Sequence, residues 1–209
     1  FVDLEQAKSA AYKAASVNNL RQIGLAFQFF EQEHGYLPSV TTKLPGAKHP
    51  VSWRVAILKY LDEKLYNQYN LSEPWDSETN KKLLEELPIF YRHPGQEKGI
   101  SNTCYITLVG DNTATGDGKA PVNLFEDISD GPQQTILVTE GFTHIPWTKP
   151  EDQKFEDEPT LPPVHPHPDG WNVIFADGAT HFVSSETPID ALRALITRDG
   201  GEMVETANG

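Results

Sequence analysis

Between residues 2 and 34 the apolar positions recur three or four apart: Leu4, Ala7, Ala11, Ala14, Leu20, Ile23, Phe27 and Phe30, with one slip near Val17 and no proline. That spacing predicts one long helix over 2–34. Its first half is rich in alanine and flanked by polar residues, whereas its second half adds Leu25 and Phe29 and so carries a wider apolar face that needs a partner. Gly35 supplies a stop and Pro38 forbids continuation, so Gly35-Tyr36-Leu37-Pro38-Ser39 turns the chain away. A second helix is predicted over 52–69, capped by Ser52, with Trp53, Ile57, Leu61, Leu65 and Tyr69 on one stripe. A shorter third one fits 77–87.

After Pro88 the pattern changes. Short β-branched runs at 103–109 and 135–139, bounded by Gly, Asn, Asp and Pro, predict strands. Residues 171–176 and 180–183 flank Asp177-Gly178, a pair that readily takes the positive φ of a tight turn, and predict a hairpin. A final helix starts from Thr187 as cap, with Pro188 at its first position and Asp190 three residues after the cap, carries Ile189, Leu192, Leu195 and Ile196, and ends at Asp199-Gly200-Gly201. Between the strands, residues 145–168 are rich in proline and acids and predict a long surface excursion. Helices first and strands afterwards predict an α+β fold with an antiparallel sheet. At 209 residues the chain fits one domain, 1–209, divided into a spine helix over 1–34 and a helix-plus-sheet head over 35–209.

Charge narrows the partners. Acids outnumber bases 30 to 17, a net charge of −13, which excludes a nucleic-acid partner and favours cations or basic surfaces. Cys104 is the single cysteine, so neither an intramolecular disulfide nor a cysteine-rich zinc site can form. No apolar run is long enough to span a bilayer. The sequence opens inside an amphipathic pattern, Phe1, Val2, Leu4, Ala7, without an initiator Met, as expected of a chain with a further segment upstream.

Three groups of residues carry candidate chemistry. Asp111, Asn112, Thr115 and Asp117, on a loop with Gly116 and Gly118, offer oxygen at alternating positions, as calcium requires, although no downstream glutamate completes an EF-hand and Asx turns alone also explain such a loop. His165, His167 and His181 form an alternative metal set, with zinc or another transition metal as the ion. Glu140, His167 and Asp177 form an acid/base group only if the strand over 135–139 lies beside the hairpin; otherwise the turn explains Asp177 and capping or pairing explains Glu140. No phosphate-binding Gly-rich loop, Gly-x-Ser-x-Gly elbow or His-Glu-x-x-His helix occurs, so the expectation is a non-enzymatic protein without catalytic residues.

Asn18-Asn19-Leu20-Arg21-Gln22-Ile23-Gly24-Leu25-Ala26 with Gly35-Tyr36-Leu37-Pro38-Ser39 resembles the region that follows the membrane segment in a bacterial family of prepilin-like proteins of unknown function, sometimes labelled solute-binding. Ser52-Trp53-Arg54-Val55-Ala56-Ile57-Leu58, Leu65-Tyr66-Asn67-Gln68-Tyr69-Asn70, Pro74-Trp75-Asp76 and Pro146-Trp147-Thr148-Lys149-Pro150-Glu151-Asp152 extend the resemblance. His167, nine intervening residues and Asp177-Gly178 are similar to that family's C-terminal His-x9-Asp-Gly signature. The resemblance implies a prepilin-type leader and a membrane-anchoring helix upstream, a pseudopilin-like fold akin to that of type II secretion, a head that binds calcium, and an extracytoplasmic location in the periplasm or at the cell surface, anchored in the inner membrane. Its implied partners are copies of itself or other pilin-like subunits. Many members carry a cysteine near the positions of Ala15-Ser16 and another near His93-Pro94; this chain has neither, so any disulfide the family implies is absent. Two further readings stay open: an extracytoplasmic ligand-binding module using 145–168 as a pocket, and a hydrolase acting on extracellular polymers.

Overall fold

The computed structural model of the chain describes residues 3–97, 99–155 and 166–201. Helix α1 spans Leu4–His34 without interruption. Asp3 caps it by accepting from the Glu5 N–H at 3.1 Å, and Gly35, at φ 79°, closes it by donating to the Glu31 carbonyl. The slip near Val17 marks a change of face. At 3.6 residues per turn, Leu4, Ala7, Ala11 and Ala14 lie on one side of the axis, and Leu20, Ile23, Phe27 and Phe30 lie roughly 150° around it. The first set is exposed, with Leu4 at 78%, and the second is fully buried.

The single helix expected over 52–69 is instead three turns, α2 (Trp53–Ala56), α3 (Leu58–Leu61) and α4 (Glu63–Tyr66). Asp62 leaves helical geometry at φ −152°, ψ 84°, and its carboxylate accepts from the Leu65 N–H at 2.9 Å, so it restarts the chain instead of continuing it. The expected third helix is one turn of α5 (Glu78–Lys81), capped by Ser77, followed by a tighter 3-10 turn over Lys82–Glu86. The last helix, α6 (Ile189–Ile196), begins one residue later than expected, with Pro188 at the cap position.

Among the described residues six strands lie between α5 and α6: β1 (Tyr105–Ile106), β2 (Leu108–Val109), β3 (Ile136–Glu140), β4 (Gln153–Lys154), β5 (Gly170–Phe175) and β6 (Thr180–Ser184). Four make an antiparallel sheet in the order β1-β3-β5-β6, and β2 pairs in parallel with β4. The expected strand over 103–109 therefore divides at Thr107 between two sheets. The β5–β6 hairpin turns at Asp177-Gly178 as the sequence predicts, with Gly178 at φ 89° and the Asp177 carboxylate accepting from the Ala179 N–H at 2.8 Å.

The main sheet is covered on both faces. Ile174 joins the core beneath α1, while Trp171, Val173 and Phe175 pack with Leu192 and Ile196 of α6. Alternate strand residues point to opposite faces, which explains why all six residues of β5 are buried. The approach of α1 is close: a Cβ on Gly24 would collide with Ile174. The surface excursion expected over 145–168 needs correction in its first part. Trp147 is fully buried, stacks on Tyr91 and donates its indole N–H to the Leu83 carbonyl at 3.1 Å, and the Asp152 side chain is likewise sealed in the core. Residues 156–165 lie outside the described residues. Among the described residues no helix is long and apolar enough to cross a membrane.

Candidate functional site

The middle of α1 crosses the sheet over a buried polar cluster. Ser16, the first fully buried residue of the helix, hydrogen-bonds the Tyr105 hydroxyl at 2.8 Å and donates a short hydrogen bond to Glu140 Oε2. Asn19, one turn further on, donates to the Tyr105 hydroxyl at 3.2 Å and to the Arg92 carbonyl at 3.1 Å, which ties α1 to the segment leading into His93.

Glu140 ends β3 and is completely buried. Its Oε1 accepts from the Asn172 N–H at 2.8 Å, the Asn172 amide at 3.0 Å and His167 Nε2 at 2.8 Å. Burial opposes ionisation of this carboxyl, but the bonds from His167, Ser16 and Asn172 outweigh it and hold the group below its ordinary value. It is a carboxylate in the core, matched by donors.

His93 completes the cluster. It is 2% exposed, its ring lies 5.6 Å from that of His167, and Tyr12 and Phe142 pack edge-on against it. Burial pushes the imidazole down, so the ring is neutral. Its Nδ1 accepts from the Gly95 N–H at 3.1 Å, which places the ring hydrogen on Nε2. That Nε2 is buried and has no hydrogen-bond partner among the described residues. One potential ligand atom from each of His93, Glu140 and His167 lies within 4.8 Å of the other two.

The expected site residues fall in different places. His167 and Glu140 meet, whereas Asp177 sits beyond the far end of β5 and serves the hairpin turn. His181 is exposed on β6 and stacks on Phe175 at 4.1 Å, apart from the cluster, and His165 lies outside the described residues. On the loop expected to take calcium, the Lys119 ammonium pairs with Asp117 and stands 4.0 Å from Asp111, so the two carboxylates share a cation of the protein itself. Asn112 contributes its carbonyl to the Arg198 N–H, and Thr115 is buried. Two surface clefts, of about 250 Å³ beside Tyr36 and Gly118 and about 730 Å³ beside Phe29 and Phe125, are lined by none of residues 145–155.

The His-x9-Asp-Gly spacing acquires a physical meaning here. His167 precedes β5 and Asp177-Gly178 follow it, and both ends touch α1: the near end through Ser16 and Glu140, the far end through Gln28, whose amide donates to the Asp177 carbonyl at 3.1 Å. The twelve helical steps from Ser16 to Gln28 rise about 18 Å, close to the span of β5 at about 3.3 Å per residue. The signature thus brackets β5, whose two ends lie near residues that bond α1. A Cβ on Gly178 would meet the Gln28 amide at 2.6 Å, a second reason for glycine there.

His93 is the residue that sequence reasoning missed; no local pattern links it to positions far along the chain. A second buried pair, Arg54 and Asp152, was missed as well, its only signal being an arginine inside the apolar stripe of 52–69.

Among known families, one described as proteins of unknown function, DUF1559, matches residues 5–162 of this chain. No curated protein and no solved structure shows significant similarity to it.

Proposed function

This chain belongs to the DUF1559 family, whose function is unknown, and from that premise we propose that it is a non-enzymatic, pilin-like subunit that assembles outside the cytoplasm. In this reading α1 continues upstream into an apolar segment held in the inner membrane, and the head projects into the periplasm or beyond the cell surface. Copies of α1 pack side by side.

The observation that carries the reading is the outward seam of α1. Leu4, Ala7, Ala11 and Ala14 are spaced by three and four residues, face away from the core-packing side and are exposed. Leu25 and Phe29, 54% and 53% exposed, continue apolar surface along the helix beside the head. A helix that already buries one face in its own head has no use for a second apolar stripe unless another helix covers it. Small alanine side chains allow close approach of backbones, and a membrane segment would concentrate the copies and keep them parallel. The net charge of −13 sets heads against one another, so cations favour their assembly.

Cysteine crosslinking in the native cell tests this. Ala11→Cys lies on the seam, and Gln6→Cys is exposed about 120° around the axis from the middle of the seam. Oxidation should give disulfide-linked dimers at position 11 and far fewer at position 6; Cys104 is buried and does not interfere. No dimer at position 11, or equal dimers at both positions, would remove the assembly reading.

A further inference from the structure

We propose that His93, Glu140 and His167 bind a single divalent transition-metal ion, of which zinc is the natural probe, and that this ion locks α1 to the sheet. The inference is independent of the assembly reading above, because it concerns the inside of the head alone.

The donor set comes first. Two imidazoles and one carboxylate suit zinc and its neighbours in the first transition row, not calcium or magnesium, which take oxygen. Glu140 and His167 are in direct contact and His93 faces them, all three at most 3% exposed. A spread of up to 4.8 Å between ligand atoms is wider than a bound ion allows. With bonds of about 2.0–2.2 Å, the side chains must close by roughly an ångström. His93 is the one able to move, since among the described residues its side chain has one hydrogen bond, accepted from the Gly95 N–H.

The second observation is the unpartnered nitrogen. Burying an N–H without an acceptor costs about 1–3 kcal/mol, yet His93 holds one in the core. A metal takes the place of that hydrogen at Nε2 and exchanges it for the Gly95 hydrogen bond at Nδ1. Each imidazole then presents the Nε2 lone pair to the ion and carries its hydrogen on Nδ1. At His167 the ion replaces the hydrogen held between Nε2 and Glu140 Oε1. At His93 the hydrogen shifts to Nδ1, and the Gly95 N–H, at an exposed residue, turns to water. The two charges of the ion then meet the one charge of Glu140.

The supporting groups are already in place. Ser16 and Asn172 hold the Glu140 oxygens, as partners behind a metal ligand do. Tyr12, Phe142 and Phe182 pack around the two imidazoles and keep the surroundings apolar. Three protein ligands leave a position for water. Because His93 comes from the segment after Tyr91, Glu140 from β3 and His167 from the approach to β5, one ion fastens three parts of the head and, through the Ser16 bond to Glu140, reaches α1.

The test uses the whole 209-residue chain, stripped with a chelator and titrated with zinc against a chromophoric competitor. One zinc per chain should bind, with an increase in melting temperature at one equivalent. His93→Gln loses a buried ring packed on Tyr12 and Phe142 and should melt lower without metal, but, still folded, it should bind zinc at least about tenfold more weakly and lose the zinc-dependent rise in melting temperature. His181→Gln, on the outer strand, should bind as the parent does. Absence of zinc binding by the parent, or equal affinity and stoichiometry in parent and His93→Gln, would overturn the proposal.

Discussion

Two buried charged clusters hang on the same residue, and they are built differently. The Tyr105 carbonyl accepts from Arg54 Nε at 3.1 Å and Nη2 at 3.0 Å, while the Tyr105 hydroxyl bonds Ser16 and Asn19. On the Arg54 side every group is matched. The guanidinium also reaches Asp152 and Ser52, and Asp152 accepts from the Trp53 indole at 2.7 Å and from Thr107 at 3.1 Å. Burial pushes the Asp152 carboxyl up and the Arg54 guanidinium pulls it back. An arginine cannot give up its proton or ligate a metal, so this cluster is a closed lock. On the Glu140 side the partners are histidines, which can ligate, and His93 Nε2 is left over. Equal burial thus has two meanings, and the difference lies in whether every polar atom is already spoken for.

Asp152→Asn should separate the clusters most sharply. It leaves the Arg54 charge buried without its counter-ion and should cost about 3–5 kcal/mol, read from urea unfolding; a loss below about 1 kcal/mol would show that water reaches the pair. Tyr105→Phe comes next. It removes the hydroxyl bonded to Ser16 and Asn19 but leaves the carbonyl that Arg54 uses, so the loss should be about 1–2 kcal/mol and should add to that of Asp152→Asn in the double variant. Strong non-additivity would mean that the two clusters are one network. The smallest effect is kinetic. Burial pushes the Cys104 thiol, the residue before Tyr105, up to about 11. At pH 8 only about a thousandth of it would be thiolate, and Ellman's reagent should label it no faster than the protein unfolds. Prompt labelling would show that the wall around both clusters is open.

The legible parts of the fold were those decided locally. Gly35, the Asp177-Gly178 turn and the apolar spacing of α1 act through near neighbours, and each lies where the sequence puts it. The break at Asp62 was not legible, because the same carboxylate that interrupts the stripe of 52–69 can sit harmlessly on a helix surface; here it caps the next turn. The slip near Val17 separates two faces by helical geometry, and the sheet shows which of them is buried. At the site, His167 and Glu140 stood out for their chemistry, and their meeting depends on β3 lying beside β5. His93 offered no chemical signal of its own beyond its place, like that of Ser16, near a cysteine position of the resembled family, since its role arises from packing between segments distant in the chain. The Asp111–Asp117 loop has cation-binding composition, and Lys119, two residues beyond the motif, pairs with Asp117 and stands near Asp111.

The open cluster is the centre of this account, and crystallographic anomalous scattering at the zinc edge tests it most directly. In crystals of the chain grown with one equivalent of zinc, the difference map should show one peak about 2.0–2.2 Å from His93, Glu140 and His167, with Arg54 and Asp152 unchanged. A peak confined to surface carboxylates or His181, with His93 Nε2 resting against an ordered water, would contradict it.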